Sequence, residues 1–164
     1  MTYKKTYKKV YLGNAIWKIT AMYGVSTIVS TNGMKKQELD LEAKVIERFI
    51  LKMKRERYLS FIQKEKTREK FIKDLSHVNF LNKDLFEEIE AGEHKLINEK
   101  IKKIGNLKDC YVISENKNID GRRLDIESAL RETLGADMGT LLIFGDAEIV
   151  YAEAEGINNR WISK

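Results

Sequence analysis

Residues 110–162, CYVISENKNIDGRRLDIESALRETLGADMGTLLIFGDAEIVYAEAEGINNRWI, decide the fold, because they alone hold a strand, a helix and a hairpin with their own turns. Tyr111, Val112 and Ile113 form a β-prone run that ends at Asn116, Asn118, Asp120 and Gly121, residue types that favour turns. Leu124, Ala129, Leu130 and Leu134 then recur at spacings of three to five. Asp125 and Glu127 suit the positive end of a helix and Gly135 its stop, so we expect one helix of about three turns. Thr140 to Phe144 and residues 148–155 are two β-rich runs around Gly145 and Asp146, the kind of short break that hairpins use. Trp161 and Ile162 would form a last edge strand. With no proline in the chain and only short connections, a small mixed or antiparallel sheet carrying one helix is the economical arrangement. The helix is too short for a doubly wound nucleotide fold.

Moving toward the N-terminus, the apolar period changes from two to that of a helix. Leu41, Val45, Ile46, Phe49, Ile50 and Met53 paint one stripe, which Tyr58, Leu59, Phe61 and Ile62 continue to a break at residues 64–66. Thr67 is placed to cap a second helix holding Phe71, Ile72, Leu75 and Val78. Asn82 starts a short turn with Leu85, Phe86 and Ile89. A further helix buries Leu96, Ile97, Ile101 and Ile104, with Lys102 and Lys103 near its negative end and Gly105 as its stop. The fold class is therefore α+β, with three or four helices in a basic region, residues 34–108, and a strand, helix and hairpin unit, residues 109–164, packed as one domain. Residues 1–33 form an N-terminal extension of uncertain order, either a strand or paired segment, or a poorly ordered stretch with the domain proper beginning near Met34. Its alternation at Ile19, Ala21, Tyr23, Val25, Thr27 and Val29 suits a strand, while Asn14 and Lys18 interrupt the apolar stretch that a membrane span or a secretory signal would need.

Charge is divided along the chain. The net charge of +5 hides a front that is basic and a back that is acidic: residues 44–73 carry eleven Lys and Arg against four Glu, and residues 110–164 carry six basic against ten acidic side chains. Apolar content of 43% supports a packed core. A single cysteine, Cys110, excludes an internal disulfide and fits a reducing, cytoplasmic setting.

The basic series Lys44, Arg48, Lys52, Arg55, Arg57, Arg68 and Lys70, with Tyr58 and Phe61 between its groups, could follow a phosphate backbone and stack on an exposed base. Glu47, Glu56, Glu65 and Glu69 would instead make it an ordinary solvated helix face. His77 follows Asp74 by three residues and, oriented by that carboxylate, has the chemistry of a general base.

The segment RERYLSFIQKEKTREKFIKDLSH at 55–77, CYVISE at 110, Asp120-Gly121, Ala129-Leu130, Gly139-Thr140 and the Tyr151, Glu153, Glu155 series resemble a family of small bacterial proteins of uncharacterised activity. The resemblance spans roughly residues 41–162. It puts Arg55, Arg68, Phe71, His77, Asp120, Gly121, Tyr151 and Glu153 at motif positions and implies no activity. The family's hairpin carries Pro-Gly where this chain has Gly145-Asp146, which leaves the turn type open.

We favour a non-catalytic binding or regulatory protein whose basic helices meet an anionic partner, nucleic acid before an acidic protein, with no membrane and no cofactor. An alternative is a metal-dependent phosphodiesterase in which Asp120, Glu153 and Glu155 hold Mg²⁺ and His77 or Glu153 serves catalysis, with Arg122 or Arg123 stabilising phosphate charge. A third is that the basic helices dock on the acidic sheet of the same chain or of a second copy, which needs no ligand. The chain has no Gly-rich phosphate loop, no Cys and His ligands at metal spacing and no Ser nucleophile elbow, which argues against ATP and zinc.

Overall fold

The β-rich runs of the C-terminal third assemble into a six-stranded, wholly antiparallel sheet. The structure is a computed structural model and describes residues 11–12, 15–16, 36–90, 94–156 and 159–164. The chain divides into two units, Met1–Thr31 and Asn32–Lys164. In the first, β1 (Tyr11–Leu12) pairs antiparallel with β2 (Ala15–Ile16), Tyr11 opposite Ile16. The alternation at 19–29 lies outside the described residues. Among the described residues no helix is long and apolar enough to cross a membrane.

Among the described residues of the second unit, five α-helices accompany the sheet: α1 (Lys36–Phe49), α2 (Lys52–Ile62), α3 (Glu65–Lys73), α4 (His94–Ile104) and α5 (Ile126–Thr133). The strands are β3 (Phe86–Glu88), β4 (Asp109–Ser114), β5 (Arg123–Asp125), β6 (Thr140–Phe144), β7 (Ile149–Glu153) and β8 (Arg160–Ser163), in the spatial order β3, β8, β7, β6, β4, β5. The α+β class holds, with four α-helices in the front half, α1 to α4, and one, α5, on the sheet; three short 3₁₀ turns, Asp74–Ser76, Val78–Phe80 and Lys83–Leu85, come in addition. The last strand is not an edge: β8 lies between β7 and β3, because Phe86, Glu87 and Glu88 pair with Ser163, Ile162 and Trp161.

The sheet is covered on both faces. Tyr111, Ile113, Leu141, Ile143, Val150 and Ala152 pack with Leu41, Val45, Ile46, Phe49, Tyr58, Ile62 and Phe71 of α1, α2 and α3. The alternate residues Cys110, Val112, Leu142, Phe144, Tyr151 and Ile162 pack with Ile97 and Ile101 of α4 and Ala129 and Leu130 of α5. Successive strand residues point to opposite faces, so β4, β6 and β7 must be apolar on both. That is why they read as nearly continuous apolar runs, a pattern more usual in parallel sheets.

Local chemistry moves several helix boundaries. The apolar stripe does not run through Met53, which is 87% exposed. The chain leaves α1 at Ile50, which bridges Leu81, and Leu51 adopts a non-helical φ of −52° and ψ of 129°. The Leu51 amide bonds the Phe80 carbonyl and the Asn82 amide bonds the Phe49 carbonyl, so α2 restarts in a new phase. Thr67 is not the N-cap of α3, since that position is Lys64; its hydroxyl instead donates to the Phe61 carbonyl at 2.7 Å and satisfies the end of α2. The turn expected after Asn82 is a 3₁₀ turn, Lys83–Leu85, that leads into β3. Leu124, expected in the helix, belongs to β5, and α5 begins after Asp125, whose carboxylate accepts from the Ser128 amide at 2.9 Å.

Candidate nucleic-acid interface

The seven basic residues singled out in the sequence take four different positions. Lys44 and Arg48, on α1, reach the β6–β7 turn. The Lys44 ammonium lies 2.7 Å from Asp146 and the Arg48 guanidinium donates to the Ala147 carbonyl at 2.9 Å. The phase break at Leu51 separates this pair from the cations of α2. Arg55 turns back to donate to the Ile50 carbonyl at 2.8 Å, closing the end of α1.

Arg68 lies inside the molecule. Its Nε is 2.9 Å from Glu42 Oε1, its Nη1 is 2.6 Å from Asp120 Oδ2, and its Nη2 contacts both carboxylates at 2.6 and 3.0 Å. Tyr111 donates to Glu42 at 2.8 Å, and Asp120 also accepts from the Ser114 amide at 3.0 Å. Burial alone would lower the Arg68 pKa, but the bonds to Asp120 and Glu42 outweigh it and hold the guanidinium charged. Burial raises the Glu42 pKa above its ordinary 4.5, against the lowering effect of Arg68 and Tyr111. Sequence reasoning missed Glu42 as Arg68's partner. A signal existed, since Glu42 shares the helical face of Leu41, Val45, Ile46 and Phe49.

The remaining cations face outward. Lys52, Arg57 and Lys70 are exposed, as are Lys64, Lys66 and Lys73. Lys66, Lys70 and Lys73 follow steps of four and three on α3 and share one face. Arg57 of α2 and Lys70 of α3 converge on Phe61: the guanidinium carbon lies 5.1 Å and the ammonium 5.7 Å from its ring centre. Arg57 also lies 5.9 Å from the Tyr58 ring centre and 3.9 Å from Asp74. Of the two aromatics, Phe61 is half-buried, whereas Tyr58 is core, its hydroxyl donating to Asp74 at 2.8 Å. Burial, reinforced by Asp74, raises the Tyr58 pKa.

The residues of the catalytic and metal alternatives are placed as follows. His77 is exposed and follows the 3₁₀ turn Asp74–Ser76, and the Asp74 carboxylate bonds Tyr58 and Arg57 rather than the imidazole. His77 borders an open polar cleft of about 640 Å³ with Ser76, Asn79, Lys83, Asp137 and Glu155. Glu153 is buried at the end of β7, where it accepts from the Gly135 amide at 2.7 Å and the Tyr151 hydroxyl at 2.6 Å and pairs with Arg160 at 3.4 Å. Glu155 lies beyond the strand and is exposed. Asp120 is paired with Arg68. No group of three His, Cys, Asp or Glu side chains able to hold a metal converges among the described residues. Arg122 donates to the Asn118 carbonyl and Arg123 to Asp109, both at the surface.

Comparison of the chain with protein-family models, with curated proteins and with solved structures finds no match. The functional reading therefore rests on the geometry.

Proposed function

We propose that this is a non-catalytic nucleic-acid-binding or regulatory protein and that α2 and α3 form its binding face. One observation carries the reading: Lys44, Arg48, Arg55 and Arg68 are engaged by partners within the chain, only Arg68 of them buried, while Arg57, Lys66, Lys70 and Lys73 project outward from two adjacent helices around a half-buried aromatic ring. Residues 52–73 hold nine Lys and Arg against three Glu, so the face keeps a positive potential that favours a polyanion. We read the setting as cytoplasmic and reducing, which suits the free thiol of Cys110. The resemblance to small bacterial proteins assigns it no activity.

Fluorescence anisotropy of labelled DNA and RNA, single- and double-stranded, at two salt concentrations tests the proposal. Binding should weaken as salt rises, and replacing Arg57, Lys66 and Lys70 with alanine should flatten the log–log salt dependence by about 0.7–0.9 per cation removed. No binding at low salt, or an affinity indifferent to these three residues, would overturn it.

A further inference from the structure

We infer that the face selects single strands, with the Arg57 guanidinium, backed by Phe61, as the plane on which an unpaired base stacks. The inference rests on the nucleic-acid reading above and deepens it.

Three features of the α2–α3 surface converge on this plane. The Arg57 side chain is 63% exposed, yet its guanidinium carbon lies over two rings, Phe61 and Tyr58, and Asp74 is 3.9 Å away. A guanidinium held in this way has less rotamer freedom to lose when a base covers its outer side. Phe61 is itself fixed: Tyr58 meets it at 70° with ring centres 6.0 Å apart, and its carbonyl is bonded by Thr67. Lys70, whose ammonium lies 5.7 Å from the centre of the same ring, and with it Lys66 and Lys73 along α3, supplies charge for the phosphates that flank the base. A flat cationic plane beside a row of ammonium groups matches a strand whose base faces are open. In a duplex those faces are covered by neighbouring bases, and only the phosphates would be within reach.

Arg57→Lys and Phe61→Leu separate stacking from charge. The first keeps the cation and removes the plane; the second keeps apolar volume and removes the ring behind it. Both should weaken binding to a labelled oligothymidylate by about tenfold, with the salt slope and the affinity for a duplex of equal length unchanged. Lys70→Ala should lower the salt slope on both forms. Equal losses on both forms, or no loss in Arg57→Lys and Phe61→Leu while the wild type binds, would overturn this inference and leave the proposed function standing. Wild-type protein that binds neither form would overturn both. A thermal melt of each variant shows whether the fold is kept; should Phe61→Leu not fold, Arg57→Lys decides alone.

Discussion

Arg68 shows why residue type in a sequence does not reveal which cations are available to a partner. It stands in the most basic stretch of the chain, yet it is gripped by Glu42, which is fully buried, and by Asp120. Removing one member of a buried ion cluster leaves the others charged and unpaired. Arg68→Ala should therefore lower stability by about 3–5 kcal/mol, measured by urea unfolding, whereas replacement of the whole cluster by apolar residues of similar volume should cost far less. Glu42 adds a pH dependence of a definite sign. Its folded pKa is raised above 4.5, so its contribution to stability is fully present below that value and is lost as pH rises through the folded pKa. Relative to wild type, Glu42→Gln should gain stability as pH rises from 4.5 toward neutral, and a difference that widens the other way would count against the raised pKa. Cys110 makes the opposite case, a residue whose role was plain from its apolar neighbours. Burial pushes its thiol up to about 12, so it should stay inert to a thiol reagent in the native protein and react only on unfolding.

Elements with a long, regular pattern were legible, and three-residue elements were not. The strand around Val112, the hairpin of β6 and β7, the helix over Leu96 to Ile104 and the one holding Ala129 and Leu130 all follow from period and turn chemistry. β3 and β5 are too short to show any period, and missing β3 is what made β8 look like an edge. The break at Leu51 was also hidden. It contains neither glycine nor proline, and the backbone bonds that create it come from Phe80 and Asn82, some thirty residues away in the chain. The start of α5 was legible only to within two residues: Leu124, expected in the helix, belongs to β5, and Asp125, expected as an early helix charge, is the cap. Asp125 caps the helix through Ser128, whose bond holds the carboxyl below its usual pKa of 3.8. Such a group stabilises the fold above that pH and loses its contribution as pH falls through the folded pKa. Asp125→Ala should accordingly lower Tm at neutral pH, Asp125→Asn should restore most of the loss, and the gap between wild type and Asp125→Ala should close in acid.

Across the Asn32–Lys164 unit, the division of charge does two things that the sequence could not separate. Lys44 and Arg48 meet the β6–β7 turn and Arg68 joins α3 to the β4–β5 loop, so part of the basic front does dock on the acidic sheet. The outer cations of α2 and α3 take no part in this. Replacing Arg57, Lys66 and Lys70 should therefore leave the melt nearly unchanged even if it abolishes binding. The helical layer and the sheet also meet where only glycine fits. A Cβ on Gly139, just before β6, would lie 2.4 Å from both the Leu75 carbonyl carbon and the Ser76 nitrogen. Those are backbone atoms of the 3₁₀ turn after α3 and cannot swing aside. Gly139 is further fixed by Glu115, the residue after β4, its amide bonding the Glu115 carboxylate at 2.8 Å and its carbonyl accepting from the Glu115 amide at 2.9 Å. Gly139→Ala must push the turn off the sheet or break these bonds. A cost of about 1–3 kcal/mol is expected, arising from lack of space rather than from backbone conformation. Because that turn continues from α3, the same substitution should also shift the α3 face and weaken any nucleic-acid binding without removing a single charge. A Gly139→Ala protein with unaltered stability would show that the two layers are not in contact there.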